Sequence, residues 1–218
     1  MLLFAVWTIF ACDTTPSDIT TTHIDDKHQV IRKTYPSSAV AVEGELTEGF
    51  PSGVWKEWYE TGEKKAEYSF LNGKEHGIRS VWHQNGSLGE QGSMQFGMQE
   101  GDWKIWYENG QLQAQTTYTK GIENGTRIQW NNAGQKISEA EVQGGMQNGL
   151  RRFWYDNGQL KAQGYFQLDV KNGPEEEFAE DGTWTQTICY TQGNPSTEWK
   201  RETITQPTFD VAMCQTGQ

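Results

Sequence analysis

Apolar positions along this chain come in two kinds of short cluster that alternate at a fixed interval. One kind is centred on Trp58, Trp82, Trp106, Trp130 and Trp154, with Phe178 closing the series, and Tyr59, Tyr107 and Tyr155 follow three of them. The other starts near Leu88, Leu112 and Leu160 and ends on Phe70, Met94, Tyr118, Val142, Phe166 and Tyr190. In the clearest copy, Leu112, Ala114, Thr116 and Tyr118 alternate with Gln111, Gln113, Gln115 and Thr117, the period of a pleated strand. Glycines punctuate the clusters. Gly53, Gly77, Gly101, Gly125, Gly149 and Gly173 stand 24 residues apart, and Gly62 to Gly182 keep the same step without an insertion. A third column runs Gly49, Gly73, Gly97, Gly121, Gly145 and Gly193, broken only by Asp169. Asn-Gly, the dipeptide best suited to positive φ in tight turns, recurs at Asn72, Asn85, Asn109, Asn124, Asn148, Asn157 and Asn172. Each 24-residue unit therefore reads as one β-hairpin.

Six units give about twelve strands, and at about 4.8 Å per strand an up-and-down sheet of that size is near 58 Å long. A propeller blade needs four strands and about 40 to 45 residues, and leucine-rich repeats carry a different leucine pattern, so neither fits. The expected fold is all-β: an elongated, single-layer antiparallel meander of six 24-residue hairpin repeats over residues 53–196. Stability in such an array accrues between neighbours, and its ends need protection. Residues 39–52 read as a partial leading repeat, because Leu46 falls 24 before Phe70. The segment 197–218 reads as a cap or tail for the other open edge.

The run from Gly101 through Asp102, Trp103, Lys104, Ile105, Trp106, Tyr107, Glu108, Asn109, Gly110 and Gln111 to Leu112, with its copies at Gly53 and Gly149, resembles MORN-type repeats of the bacterial variant found in YwqK-like proteins. The resemblance covers about two thirds of the chain. It implies the hairpin array and is nearly silent about function, since such repeats serve as scaffolds and binding modules. Members of that group often carry the label of antitoxin component, which implies an immunity or antitoxin-like role as an alternative.

Composition narrows the partners. The chain has 29 acidic against 18 basic residues, a formal net charge of −11, and no basic run, which argues against nucleic acid and against an anionic membrane surface. Leu2 to Phe10 is an uncharged apolar run too short to span a bilayer, and it fits the apolar region of an export signal. Ile9, Phe10, Ala11 and Cys12 resemble a bacterial lipobox, which makes residues 1–11 a signal peptide and Cys12 a lipidated amino terminus. A buried amino-terminal strand or an ordinary cleaved signal are the alternatives. Residues 12–38 are polar and rich in Thr, and read as a flexible tether. With Cys12 assigned to lipid, Cys189 and Cys214 remain as an even pair, compatible with one disulfide in an oxidising compartment; two free thiols are the other reading.

Chemistry is sparse. There is no nucleophile elbow, phosphate loop, zinc-protease motif or CxxC, and His23, His28, His76 and His83 share no ligand spacing with the thiols. No catalytic residue, metal or cofactor is expected. The columns Trp58, Trp82, Trp106, Trp130 and Trp154 with Tyr59, Tyr107 and Tyr155 have two readings: ring ladders that replace a conventional core, or a platform for a protein or a glycan. The function expected is a non-enzymatic lipoprotein of the bacterial cell envelope, reaching the membrane through its lipid alone, whose sheet is a scaffold for an envelope protein or cell-wall polymer.

Overall fold

The computed structural model describes residues 18–200 and 209–214. Its strands are β1 (Asp18–His23), β2 (His28–Thr34), β3 (Val40–Thr47), β4 (Phe50–Trp58), β5 (Lys64–Leu71), β6 (Lys74–Glu75), β7 (Gly77–Trp82), β8 (Leu88–Gln95), β9 (Met98–Trp106), β10 (Leu112–Thr119), β11 (Ile122–Glu123), β12 (Gly125–Trp130), β13 (Lys136–Gln143), β14 (Met146–Trp154), β15 (Leu160–Gln167), β16 (Val170–Phe178), β17 (Trp184–Thr191) and β18 (Asn194–Lys200). One residue separates β6 from β7 and β11 from β12, so the eighteen strands are sixteen continuous ones. Every pairing joins sequence neighbours and is antiparallel, from Asp18↔Thr34 at one end to Gln186↔Lys200 at the other. The expected single-layer antiparallel meander is the fold.

The glycine columns have three separate jobs. Turns between units put two consecutive residues at positive φ, as at Asn72 (52°) and Gly73 (74°), the two-residue turn whose twist suits a hairpin. Turns within units close with Gly62 N–H on the Tyr59 carbonyl at 2.9 Å, and the ladder shifts register between Glu57 and Trp58. The third column sits inside the first strand of each unit: Gly53 has φ of 63°, and the ladder skips between Glu43 and Glu45 there. That placement corrects one expectation. Asn124 separates β11 from β12, and Asn148 and Asn172 lie within β14 and β16, so these three Asn-Gly pairs mark bulges rather than turns.

Both rims of the sheet are stitched from unit to unit. On one rim the backbone does it: Gly73 N–H donates to the Pro51 carbonyl, Gly121 N–H to Gln99 and Gly193 N–H to Lys171. On the other rim side chains do it. Tyr35, Tyr59, Tyr107 and Tyr155 donate to the carbonyls of Trp58, Trp82, Trp130 and Phe178, each 23 residues on. His83 occupies the same column and reaches the Trp106 carbonyl at 2.8 Å.

Two expectations about the ends are corrected. The polar stretch 12–38 is no tether from Asp18 onward, because β1 and β2 form a hairpin that continues the repeat. β-branched Thr20, Thr21 and Thr22 suit a strand, Asp25 accepts from the Lys27 and His28 backbone N–H groups to close the turn, and Ser38 takes the positive φ (69°) that glycine holds elsewhere. The boundary drawn at residue 197 moves: β18 (Asn194–Lys200) is the last described strand, and the short 3-10 turn Val211–Cys214 packs on β16 and β17. Residues 1–17, 201–208 and 215–218 lie outside the described ones.

Burial is densest near the two ends of the sheet, with Trp103, Ala140 and Val142 buried between them. Near the start, Val42, Leu46, Trp55, Ala66 and Tyr68 form a cluster with Ile31, Phe70 and Val81 packed against it. Near the end, on the opposite face by strand alternation, Pro174 pairs with Cys189 and Glu176 with Thr187, all fully buried, where Phe209 stacks on Tyr165 at 5.2 Å.

Candidate binding face

The predicted ring columns lie along one rim of the sheet. Trp58, Trp82, Trp106, Trp130 and Trp154 end the first strands, half-buried, and their carbonyls are the acceptors of the rim stitches to Trp58, Trp82, Trp106 and Trp130. Lysines, rather than further rings, lie over two of them: Lys64 at 4.9 Å from Trp82 and Lys136 at 4.3 Å from Trp154. Tyr59, Tyr107 and Tyr155 spend their hydroxyls on those stitches. Cys189 and Cys214 are joined as a disulfide, Cα to Cα 5.3 Å, which ties the 3-10 turn to β17. Cys12 lies outside the described residues. Among the described residues no cluster of His, Cys, Asp or Glu is placed to hold a metal ion.

The chemically rich surface is another column, one that the sequence reading missed. Three residues before each Trp-column position stand Trp55, Arg79, Trp103, Arg127, Arg151 and Glu175, which strand alternation places on one face, here the ring face. Opposite them, on the neighbouring second strands, stand Gly44, Tyr68, Gly92, Thr116, Ala140 and Gly164. The two sets fit by size. A Cβ on Gly44 would fall 2.1 Å from the Trp55 ring and one on Gly92 2.2 Å from that of Trp103, so each indole lies flat over a bare backbone. Each indole N–H donates to a carbonyl, of Glu45 and Ser93, at 3.2 Å, and each ring meets another edge-on, Trp55 with Phe70 at 5.8 Å and Trp103 with Tyr118 at 6.2 Å. Gly44, Gly92 and Gly164 lie off the three regular glycine columns, and that irregularity was the available signal.

Where the column carries charge, its partner stands four residues earlier, across the bulge. Glu75 meets Arg79 at 3.3 Å, Glu123 meets Arg127 at 2.6 Å, and in the last unit the signs are exchanged, Lys171 meeting Glu175 at 2.5 Å. The environments differ. Burial raises the Glu75 carboxyl above its ordinary pKa despite Arg79. At Glu123 burial pushes the same way, but hydrogen bonds from Arg127 and Thr116 and the Arg127 charge outweigh it and leave the pKa lowered. Arg79 and Arg151 lie over aromatic rings, of Tyr68 at 5.7 Å and Phe153 at 4.3 Å. The opposite face is mostly polar, with Arg32 paired to Glu43, Arg152 to Gln163 at 3.3 Å, and Gln163 to Glu176 at 2.8 Å. It is overlain at its carboxy-terminal end by the turn at Val211–Cys214.

The family described as MORN repeat variant matches residues 51–72, 99–120 and 147–168. These are the hairpins β4–β5, β9–β10 and β14–β15, the units that carry Tyr59, Tyr107 and Tyr155, whereas His83, Asn131 and Ala179 occupy that column in the unmatched units that follow each of them. The chain is thus a repeat protein with MORN-variant hairpins. Repeats of this kind often bind proteins or membranes, which is compatible with a binding scaffold. No curated protein matches the chain.

Proposed function

We propose that the chain is a non-enzymatic binding module of the bacterial cell envelope, held by a lipid on Cys12, whose ring face receives a protein or a cell-wall glycan. It uses no cofactor and binds no nucleic acid. The observation that carries the reading is the single-layer sheet itself. Among the described residues no second layer covers the half-buried Arg79, Tyr118, Arg127, Arg151 and Phe153, while Trp55 and Trp103 are buried against their own sheet, and rings and cations are what interface cores are enriched in. The Cys189–Cys214 bridge supports an oxidising compartment, and the lipobox-like run ending at Cys12 supports an anchor.

Two experiments test it. A photo-crosslinking residue at Phe153, on the ring face, should yield one discrete adduct in intact cells, and the same residue at Gln115, on the opposite face, should not. Equal yields, or none at Phe153, refute a binding role for the ring face. Cys12→Ser should move the protein from the membrane to the soluble fraction; wild-type protein recovered soluble with Met1 intact refutes the anchor.

A further inference from the structure

We infer that Arg151 is a receptor for a carboxylate side chain of the partner protein, an inference that rests on the ring face being the binding face. The repeat supplies an internal control. At the two other arginines of the column the residue four positions earlier is an acid, Glu75 or Glu123, and the last unit keeps a neutralising pair with exchanged signs, Lys171 with Glu175. At Arg151 that position is Gln147, whose amide oxygen accepts from Nη1 at 3.2 Å and brings no charge. Arg151 Nε is buried without an acceptor, although a buried polar group normally has one.

The carboxylates that could serve Arg151 from neighbouring strands are engaged: Glu123 by Arg127 and Thr116, Glu175 by Lys171. Burial, then the positive charge of Arg127, lowers the Arg151 pKa, which is the mark of a cation short of counter-charge. The guanidinium is also held in place, 4.3 Å from the Phe153 ring centre and 5.9 Å from that of Phe166. A planar donor fork fixed on rings and lacking an anion matches a carboxylate, and the flanking phenyl rings match apolar residues on either side of it. The ligand is therefore an Asp or Glu flanked by apolar side chains on a protein. The chain's net charge of −11 makes such a site local, since elsewhere an acidic partner is repelled.

The probe is a blocked tripeptide, Leu-Glu-Phe, with its Gln analogue as control, titrated into the full chain while the arginine Nε–H signals are followed by NMR. The Glu peptide should shift the Arg151 signal and bind at least tenfold tighter than the Gln peptide. Gln147→Glu, which supplies internally the acid found in the other arginine units, should weaken binding at least tenfold while leaving the fold intact by circular dichroism. Arg151→Gln should do the same. Equal affinity for the two peptides, unchanged binding by Gln147→Glu, or a response confined to Arg127 overturns the assignment. If Phe153 crosslinks to a partner equally in wild type and in Gln147→Glu, the binding face stands and the carboxylate site falls. Absence of any crosslink removes the face itself.

Discussion

Replacing Gly92 by Ala adds one methyl group where the Trp103 ring already lies. The new Cβ would sit 2.2 Å from Cδ2 and Cε2 of that ring, against a comfortable carbon–carbon separation of about 3.5 to 4.0 Å, so the indole must retreat by roughly 1.5 Å. Trp103 is only 5% exposed, donates to the Ser93 carbonyl at 3.2 Å and meets Tyr118 edge-on. Overpacking costs about 1 to 3 kcal/mol, and losing the indole hydrogen bond adds about 1 kcal/mol. We expect Gly92→Ala to destabilise the protein by about 2 to 4 kcal/mol. Gly164→Ala, in the same column three units on, is the control: its Cβ would lie 3.4 Å from Glu175 Cβ, near-ordinary contact, and Gly inside a strand is itself unfavourable by about 0.5 to 1 kcal/mol. That variant should be neutral or slightly stabilised. Urea unfolding followed by tryptophan fluorescence and circular dichroism measures both, and combining Gly92→Ala with Trp103→Leu should show strong coupling. Equal midpoint shifts for the two alanine variants would refute the indole-over-glycine packing.

Other outcomes follow from the same geometry. Deleting residues 101–124, one whole period, should leave a folded, shorter protein, whereas deleting 101–112 should not, since half a unit reverses every later strand; circular dichroism and limited proteolysis distinguish them. Cys189→Ser opens the 25-residue Cys189–Cys214 separation and should cost about 3 kcal/mol, read as a lower urea midpoint and faster proteolysis after Thr191. The two half-buried acids Glu75 and Glu123 should give opposite pH dependence. The raised Glu75 pKa means its stability contribution is present in acid and lost as pH rises through the folded value, so Glu75→Gln should gain on wild type between about pH 4 and 7. The lowered Glu123 pKa means its contribution is present above the unfolded value and lost as pH falls, so Glu123→Gln should lose ground over the same rise. Parallel trends for the two variants, in thermal melts across that range, would contradict the assignment of their environments.

The hairpin period and the antiparallel meander were legible in the chain because positive φ and strand alternation leave periodic marks on residue type. The amino-terminal hairpin was not. Its turn is closed by Asp25 and the next turn, into β3, uses Ser38 in place of glycine, and only Tyr35, 24 residues before Tyr59, carries the period into a stretch whose composition resembles a linker. The ring-face column was hidden for a different reason. Trp55, Arg79, Trp103, Arg127, Arg151 and Glu175 share a position but not a residue type, because what each unit maintains is the fit between that side chain and the one across from it, Gly44 under Trp55 or Tyr68 under Arg79. The Trp58 column, constant in type and therefore conspicuous, lies on the rim that Tyr35, Tyr59, His83 and Tyr107 stitch.

Small-angle scattering from the full chain in solution tests the open single-layer sheet most directly. Sixteen continuous strands at about 4.8 Å each make an object about 75 Å long, whose radius of gyration is at least about 22 Å. A compact domain of 218 residues has a radius of gyration of about 17 Å. An elongated distance distribution with the larger value is the predicted result; a symmetric distribution with the smaller one would mean that the sheet folds back on itself, covering the ring face and removing the site proposed on it.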